Sequence, residues 1–290
     1  MSHVLVLTTD PAAPSLDDSI VARATSGLIG AQAPRWLAPG LACEIDCASG
    51  VIAAIRAALA GTGVDANLLP RASRRKRLLV ADMESTLIEN EMIDDLAAMI
   101  GIGAEVAEIT RRTMNGELDF KDSIRERVAL LAGMPAERME EAATQIRLMP
   151  GAETLIRTMR AHGAYTAIVS GGFRIFTRQV RERLAIDEDE ANDLEIAAGA
   201  LTGEVREPVL DRNAKERALV RIAAARGLST DEAVTVGDGA NDVAMLARAG
   251  LGVAFRAKPA VAAQVPVRID HGDLTALLYL QGYRAEAFAR

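Results

Sequence analysis

Short apolar runs alternate with amphipathic stretches along the chain, and this pattern predicts strands that alternate with helices. The first 72 residues contain a strand at HVLVLTT, a helical pattern at LDDSIVARATSGLI, a strand region at WLAPGLACEIDC, a helix at GVIAAIRAALAGTG and a short strand at VDANLLP. This order predicts a small α+β domain in which two helices cover one face of a sheet. The segment has no cluster of acids and no phosphate-binding glycines, so we expect the chemistry to lie elsewhere.

A second series of strands follows the basic run from Arg71 to Arg77. These strands are RLLVAD, YTAIVSGG, AVTVGDGAND and GLGVAFRA, and VPVRID is predicted as an edge strand because Pro266 cannot donate to a ladder. Strands that alternate with helices form a doubly wound, mostly parallel, Rossmann-like sheet. The sequence therefore predicts an α/β core over residues 77–290. We interpret the basic run as a solvated linker, with a contact site as the alternative.

A long segment with helical patterns separates the first two strands of this core. In EMIDDLAAMIGI, apolar residues recur at the spacing of one helix face. The segment is too long for a simple crossover, so residues from about 92 to 149 are predicted to form a helical cap over the edge of the sheet. The stretch DLEIAAGALTGEVREPVL alternates and is broken by Gly199 and Gly203, which predicts a hairpin extension.

The composition is that of a globular protein and excludes several classes of function. The chain has 290 residues, a hydrophobic content of 50% and a formal net charge of -7. This acidic balance argues against a nucleic-acid surface, because phosphate backbones bind mainly to basic faces. No apolar run reaches the roughly 18 residues of a membrane span, and the N-terminus lacks a signal-peptide pattern. We therefore expect a cytoplasmic protein; the sequence leaves a homodimer open.

The cysteines and histidines offer little for catalysis. Cys43 and Cys47 lie four residues apart on a predicted strand, where a rise of about 13 Å prevents a disulfide, so we expect buried thiols. The histidines, His3, His162 and His271, are scattered, which argues against a histidine zinc site or a Ser-His-Asp triad. The chemistry must therefore depend on carboxylates, hydroxyls, lysine and backbone amides.

Polar residues follow three core strands at the points where the strands end. In parallel sheets these ends meet at one rim, where ligands bind. Carboxylates, glycine turns and helix N-termini at such a rim suit a divalent cation, magnesium by preference, beside a phosphate. Lys215, near a helix start, could supply a positive charge for a phosphoryl oxygen. The rim residues are Asp82, Glu84, Ser170, Gly171, Asp238, Asn241 and Asp242.

Each rim feature also has a structural interpretation. Asp82 and Glu84 lie two residues apart, so an extended chain points both side chains the same way, but both acids could also cap the helix that follows. The glycines after Ser170 could simply form a turn. The combination of all these features at three strand ends favours a functional site.

Four motifs carry a family resemblance. DMEST, SGGF, the Lys215 segment LDRNAKERAL and GDGAND, in this order, resemble the motifs of the haloacid dehalogenase-like phosphotransferases, which use an aspartyl-phosphate intermediate. NEMIDDLA, TMNGELDFKDSIRERVALL and LMPGAETLI resemble the phosphoserine phosphatases within that family. The resemblance covers about residues 77–275. Residues 1–72 are compatible with the degenerate amino-acid-binding, ACT-like domains that often precede this catalytic domain.

The resemblance implies roles for the rim residues. Asp82 would attack phosphorus, and Glu84, where most of the family has aspartate, would act as general acid and base. Magnesium would be held by Asp82, the backbone carbonyl of Glu84 and Asp238, with support from Asp242. The groups implied to bind phosphoryl oxygens or to orient the substrate are Ser170, the Gly171 amide, Lys215 and Asn241.

The cap would select the substrate. The resemblance assigns the substrate ammonium to Glu91 and the carboxylate to Arg127, since a guanidinium binds carboxylates in a bidentate manner. Met114 and Phe120 would shield the site from water. A surface ion pair is the alternative for Arg127. The implied substrate is phosphoserine, hydrolysed in the last step of serine biosynthesis.

Two other functions stay open. One is a phosphatase for another small phosphate, such as phosphohomoserine or a sugar phosphate, although paired ammonium and carboxylate sites argue against sugars. The other is a non-catalytic phospho-sensor in which Asp82 accepts or binds a phosphoryl group. Glutamate at position 84 is the reason to keep the second, because it departs from the family's usual acid.

Overall fold

The structure, a computed structural model, describes residues 1–114 and 117–289, without the side chain of Met114. Its first part is an antiparallel sheet in the order β3-β4-β1-β6, beside which β2 and β5 form a separate pair. The elements of this part are β1 (His3–Thr9), α1 (Asp18–Thr25), β2 (Leu28–Ile29), β3 (Arg35–Ala38), β4 (Ala42–Cys47), β5 (Ser49–Gly50), α2 (Ile52–Ala58) and β6 (Val64–Pro70).

Alternating residues of β1 explain how this N-terminal sheet packs. Leu5 and Leu7 point to one face and pack in a cluster with Val21 of α1 and Ile55 of α2. Val4 and Val6 point to the other face and join the core of the second part of the chain. The two predicted helices therefore cover one face, as expected. Cys43 and Cys47 are buried free thiols, which confirms that prediction.

Two boundaries in this part differ from the prediction. The strand region WLAPGLACEIDC forms two strands, β3 and β4, because Gly40 adopts a positive φ of 73° and the chain reverses there. The helical pattern LDDSIVARATSGLI ends at Thr25, and Leu28–Ile29 pairs instead with Ser49–Gly50. In both places a local turn overrides a continuous hydrophobic pattern.

The second part contains the predicted α/β core. Its elements are β7 (Leu78–Ala81), α3 (Met92–Met99), α4 (Gly103–Met114), α5 (Phe120–Ala129), α6 (Glu137–Thr144), α7 (Ala152–Ala161), β8 (Tyr165–Phe173), α8 (Arg174–Leu184), β9 (Glu188–Asn192), β10 (Leu194–Ala197), β11 (Ala200–Val205), α9 (Ala214–Ala225), β12 (Ala233–Gly237), α10 (Val243–Arg248), β13 (Leu251–Phe255), α11 (Pro259–Ala262), β14 (Val267–Ile269) and α12 (Ala276–Leu280), with short 3-10 helices at Thr230–Glu232 and Ala285–Ala287.

The main sheet has the order β14-β13-β12-β7-β8-β9, and every neighbouring pair is parallel. Central β7 is buried on both faces: Leu78 and Val80 join the cluster that contains α9 and α10, whereas Leu79 and Ala81 join the cluster that contains α7 and α8. Helices on both faces explain why the central strands are mostly apolar. The predicted α/β class and the edge position of VPVRID are confirmed.

The edge strand β9 was not predicted. Its sequence, EDEAN, lacks an apolar run, so neither hydrophobic period marks it. The strand pairs with β8, and arginines of the flanking helices neutralise its acids: Arg181 binds Asp189, and Arg221 binds both Glu188 and Glu190. Pairing and long-range charge contacts therefore define this strand.

The four helices α3 to α6 fall within residues 92–149, where helices were predicted. The predicted hairpin is β10 and β11, and it packs against these helices. Gly133 N donates to Leu201 O at 2.8 Å, and Leu201 N donates to Met134 O at 2.8 Å. Gly203, with a φ of 89°, leaves room for Ala132, because a Cβ at Gly203 would lie 2.9 Å from the Ala132 Cβ. The hairpin thus braces the helical insertion.

The basic run is solvated only in part: Arg71, Arg75 and Arg77 are exposed, as a solvated linker requires, but Arg74 and Lys76 are contact residues within the protein. The Arg74 side chain is 11% exposed, and its guanidinium pairs with buried Glu44 at 2.6 Å and donates to the carbonyls of Tyr279 and Leu280. Lys76 is buried and donates to the Asp231 carbonyl at 2.7 Å. Side-chain bonds to carbonyls of the second part had no signal in the local sequence.

Candidate active site

The polar segments predicted at three strand ends, DMEST, SGG and GDGAND, meet at one edge of the main sheet. The register pairs Ala81 of β7 with Val236 of β12 and with Ile168 of β8, so the residues after these strands emerge side by side. A cavity of about 180 Å³ lies at this edge beneath the helical insertion. Its lining includes these predicted residues: Asp82, Glu84, Glu91, Phe120, Arg127, Gly171, Asp238 and Asn241.

Lys215 lies under the cavity and joins two acids. Its Nζ lies 2.8 Å from Asp82 Oδ1 and 2.6 Å from Asp242 Oδ1, and all three side chains are buried. Burial opposes the charge of Lys215, but the two carboxylates outweigh it and hold the lysine pKa above its usual value. Burial and the charge of Asp242 raise the pKa of Asp82 well above its usual value. The lysine is therefore a fixed cation beside the predicted nucleophile.

Three carboxylates at the sheet edge could hold a divalent cation. Oxygens of Asp82, Asp238 and Asp242 all lie within 4.8 Å of one another. Partial burial, and then the charge of Asp242, raise the pKa of Asp238 to about 6. The three carboxylates repel one another at this distance, and a bound cation would relieve that repulsion. Lys215, the buried lysine beside them, neutralises only part of their charge. Few carboxylates with room for water and substrate oxygens suit a small hard cation, so these residues fit one.

The segment that supplies Asp242 is built for close approach. Asp242 precedes α10 and accepts a hydrogen bond from Gly239 N at 2.9 Å. Its carboxyl group lies where a side chain at Gly237 would have to be, so only glycine fits at the end of β12. The GDGAND pattern thus has a packing reason in addition to its polar groups.

Glu84 extends from the strand end to the helical insertion. Its Oε1 accepts a hydrogen bond from Met92 N, the first residue of α3, at 2.9 Å. Its Oε2 lies where a Cβ on Gly172 would be 2.9 Å away, so Gly172 makes room for the longer acid. Burial and then the charge of Glu91 raise the pKa of Glu84 to about 7. The capping interpretation thus holds for Glu84, which also lines the cavity.

Ser170 and Gly171 border the small inner end of the site. A cavity of about 10 Å³ is lined by both residues and by Lys215, and it shares Phe120 and Asn241 with the main cavity. The Ser170 hydroxyl is buried and accepts a hydrogen bond from Gly172 N at 2.9 Å. The hydroxyl proton therefore points away from Gly172 and is free for another acceptor.

Glu91 and Arg127 reach the cavity from the helical insertion. Glu91 precedes α3 and accepts a hydrogen bond from Ser85 Oγ at 2.6 Å. Arg127 of α5 donates from Nε to Ser123 O at 3.2 Å, and no carboxylate of the described residues lies within 4.0 Å of its guanidinium. Burial lowers the pKa of Arg127. The predicted alternative, a surface ion pair for Arg127, is wrong.

Phe120 covers the inner end of the cavity. A Cβ on Gly171 would lie 3.0 Å from Phe120 Cζ, so the ring rests directly on that glycine. Met114, predicted as the second shielding residue, lies at the end of α4, and its side chain lies outside the described residues. The apolar contribution from the helical insertion therefore rests on Phe120 and its neighbours Ile93 and Ile124.

The arrangement can be compared with known proteins. The family model of the haloacid dehalogenase-like hydrolases matches residues 79–247, which is more than half of the chain. The chain belongs to this family. That match spans the strands that carry Asp82, Ser170 and Asp238, so the predicted family is confirmed.

Several curated relatives of this haloacid dehalogenase-like hydrolase are phosphoserine phosphatases. The chain is 46% identical over 209 residues to one from Mycobacterium tuberculosis, which covers 72% of this chain and 51% of the relative. It is 41% identical over 205 residues to one from Methanocaldococcus jannaschii, which covers 71% of this chain and 97% of the relative. The chain thus spans about half the length of the first curated relatives that it matches.

Solved structures share the fold. A haloacid dehalogenase family hydrolase from Salmonella enterica matches with a TM-score of 0.86 at 27% identity and covers 96% of this chain and 97% of its own. A phosphoserine phosphatase with an analogue of the phospho-aspartyl intermediate matches with a TM-score of 0.67 at 41% identity and covers 71% of this chain and 98% of its own. The first match includes the N-terminal sheet as well as the haloacid dehalogenase-like core.

Sequence reasoning missed several residues of the haloacid dehalogenase-like site. Ser85 holds Glu91 and has a positive φ of 52°, which no residue pattern signals. Lys258 follows β13 and lines the cavity, although GLGVAFRAKP lacks an acid or a glycine turn at the strand end. The order of the strands could have identified Lys258, because β13 lies next to β12 and the residues after both strands emerge at the same edge of the sheet.

No helix of the described residues is long and apolar enough to cross a membrane.

Proposed function

We propose that this haloacid dehalogenase-like hydrolase is a phosphoserine phosphatase, which hydrolyses O-phosphoserine to serine and phosphate through an aspartyl phosphate on Asp82. The observation that carries this proposal is the lining of one small cavity: Asp82 and Asp238 at its base, and Glu91 and Arg127 on its wall. An acid for the ammonium and a guanidinium for the carboxylate match the two ends of an amino acid. Relatives with that activity support it.

The Asp82 carboxylate would attack phosphorus in line with the leaving seryl oxygen. Lys215 lies 2.8 Å from Asp82 Oδ1 and would hold the nucleophile while its charge draws a phosphoryl oxygen to the inner end of the site. There the Ser170 hydroxyl and the Gly171 amide would donate to phosphoryl oxygens, and Asn241 would orient the substrate. These groups would act by alignment and charge, because the phosphoryl oxygens must be held in line and their negative charge stabilised while Asp82 attacks.

A bound divalent cation would cancel the repulsion between an anionic nucleophile and a phosphate dianion. We propose that this cation is magnesium and that it is held by Asp82, Asp238, Asp242 and the Glu84 carbonyl. The raised pKa values of Asp82 and Asp238 support this proposal, because burial and then the charge of Asp242 disfavour both carboxylates when no cation is bound. In this arrangement Asp242 lies as close to the cluster as the other two acids. Its bond to Lys215 suits the supporting role that the family resemblance implied.

Glu84 would handle the proton. It would protonate the seryl oxygen as that oxygen leaves and then take a proton from the water that attacks the aspartyl phosphate. Its contact with Met92 N, at the start of α3, keeps the carboxyl group over the cavity. The side chain is longer than the usual aspartate, and Gly172 provides the space for it. The contact also links the proton carrier to the helices that would close over the substrate.

The remaining assignments of this proposal concern the whole chain. Residues 1–72 would form an N-terminal, ACT-like domain, and residues 77–290 the catalytic core, with a cap at about 92–149. The enzyme would act in the cytoplasm on a small molecule and not on nucleic acid. The net charge of -7 supports the exclusion of nucleic acid.

The test measures phosphate release with magnesium from phosphoserine, phosphohomoserine and a sugar phosphate, with Asp82→Asn as the inactive control. We expect phosphoserine to give the highest kcat/KM and the control to release no phosphate above background. Equal rates on all three substrates would contradict the assignment of substrate. A phosphorylated protein that releases no phosphate over hours would indicate the phospho-sensor instead.

A further inference from the structure

The loop after β13 brings a cation to the cavity that no motif assigns. Lys258 lines the cavity together with Asp82 and Asp238, and its side chain is exposed. No carboxylate of the described residues lies within 4.0 Å of its ammonium group. β13 pairs with β12 and aligns Ala254 with Gly237, so the loop that carries Lys258 lies beside the loop that carries Asp238. Lys258 is therefore an uncommitted cation on the Asp238 side of the site.

The charge balance of the cavity leaves a need for such a cation. Among the described residues, four acids line the cavity: Asp82, Glu84, Glu91 and Asp238. Lys215 is already bonded to two carboxylates, and Arg127 lies on the wall formed by α5. A phosphomonoester dianion that enters this acidic space gains from a positive charge near its phosphoryl end. A lysine ammonium is a compact point charge that suits phosphate.

The backbone near Lys258 is fixed by two strand ends. Arg256 has a positive φ of 44°, a backbone conformation that costs conformational energy in any residue other than glycine. Its backbone N donates to Ile269 O at 2.7 Å, at the end of β14, and its Nη2 donates to Gly272 O at 3.1 Å. These contacts define the path of the chain from β13 to Lys258.

The N-terminal sheet holds the segment after β14, which Arg256 contacts at Gly272. Asp65 of β6 is 4% exposed, and its carboxylate accepts backbone hydrogen bonds from Asp270 N at 2.8 Å, His271 N at 3.2 Å and Gly272 N at 2.8 Å. Gly272 thus donates to Asp65 and accepts from Arg256. A buried acid of the first sheet is in this way two contacts from the loop that carries Lys258.

We propose that Lys258 is a further substrate-binding residue, whose ammonium group binds the phosphoryl group of the phosphomonoester substrate, and that Asp65 is a positioning residue for it. This inference rests on the proposed function for the identity of the substrate. It gives the N-terminal sheet a role in the reaction, because Asp65 acts on the cavity through Gly272 and Arg256.

The first test compares Lys258→Met with Lys258→Arg in the full-length protein. We expect KM for phosphoserine to rise about tenfold in the methionine variant, with kcat within about twofold, and to recover in the arginine variant. The rise should shrink at high ionic strength, because salt screens an exposed charge. Lys121→Met is the matched control: it removes the same charge from α5, outside the cavity lining. An unchanged KM in Lys258→Met, or an equal rise in the control, would overturn the proposal.

The second test asks whether Asp65 acts through Lys258. We expect Asp65→Ala to raise KM in the wild-type background and to add nothing in the Lys258→Met background, because both changes remove one interaction. Equal increases in both backgrounds would overturn the positioning role, since general loss of structure does not depend on Lys258. If Asp65→Ala fails to fold, Asp65→Asn, which keeps the size of the side chain, is used in its place.

Binding of inorganic phosphate separates this inference from the proposed function. Calorimetry on wild type and Lys258→Met needs no turnover, and we expect the variant to bind phosphate about tenfold more weakly. If the wild type leaves phosphoserine intact but shows this difference, the proposed function falls and the inference stands. If phosphoserine is hydrolysed and both proteins bind phosphate equally, the inference alone falls.

Discussion

The base of the cavity and its wall are held in different ways. At the base, Asp82, Lys215 and Asp242 are buried and bonded to one another at 2.6 and 2.8 Å. On the wall, Glu91 is exposed and has one hydroxyl partner, and Arg127 donates only to a carbonyl of its own helix. The base is preorganised by strand ends, whereas the wall keeps its charges available.

This difference corresponds to two tasks. A group that takes part in bond making must be in place beforehand, because reorganisation at the transition state slows the reaction. A group that recognises the ends of a substrate must be unpaired, because an existing partner would compete with the ligand. We therefore expect changes at the base to lower kcat and changes on the wall to raise KM.

Glu84 joins base and wall, and after loss of the nucleophile Asp82 its replacement should have the largest effect. Glu84→Gln keeps the size and an acceptor for Met92 N but cannot donate a proton reversibly, and we expect kcat to fall about 10² to 10⁴-fold. Glu84→Asp should keep substantial activity, since aspartate retains the carboxyl group. Steady-state phosphate release measures both. A glutamine variant as active as wild type would mean that water or another group supplies the proton.

Removal of the buried cation at the base should come next. Lys215→Met leaves Asp82 and Asp242 without their partner, and we expect kcat to fall about 10² to 10³-fold. Loss of one member of a buried ion network also costs about 3–5 kcal/mol of folding free energy in the absence of a divalent cation. Thermal unfolding with and without Mg²⁺ measures this cost, and Mg²⁺ should restore part of it.

Lys76→Met is the matched control for the lysine at the base. Lys76 is also buried, but it binds the Asp231 carbonyl at the opposite ends of β7 and β12 from the cavity, and neither residue lines the cavity. We expect this variant to lose stability and to keep its kcat, with no additional gain from Mg²⁺ beyond that of wild type. Equal loss of kcat in both variants would show that instability, and not the position of the charge, explains the result.

The wall should show the smallest effect and a different one. Arg127→Lys keeps the charge but loses the planar fork, so we expect KM for phosphoserine to rise about tenfold while kcat changes little. Phosphoethanolamine, which lacks the carboxylate, should be hydrolysed equally by variant and wild type. Arg125→Lys, on the same helix but paired with Glu207 at the surface, is the control. A fall in kcat alone would contradict a recognition role for Arg127.

The base was predictable from the sequence because strand ends determine it. A parallel sheet carries the residues after each strand to one edge, so DMEST, SGG and GDGAND had to meet once the strands were recognised. Local pattern and global position agree at Asp82 and Asp238, and apolar runs mark both strands. Pro266, which cannot donate to a ladder, predicted VPVRID as an edge strand, and the structure has β14 at that edge.

The parts that the sequence did not reveal depend on contacts between distant segments. EDEAN becomes a strand through pairing with β8 and through arginine contacts. Arg74 and Asp65 are tied to backbone groups some two hundred positions away, and no local period records such bonds. Lys258 lies on a loop without a motif, and its place at the cavity follows only from the strand order.

The central claim is that Asp82 carries the phosphoryl group. The most direct test uses phosphoserine that carries a radioactive label in its phosphoryl group. The reaction with Mg²⁺ is quenched rapidly with acid, and the labelled peptide is identified. We predict label on the peptide that contains Asp82 in the wild type and no label in Asp82→Asn. Label on a different peptide, or full turnover by Asp82→Asn, would contradict the account.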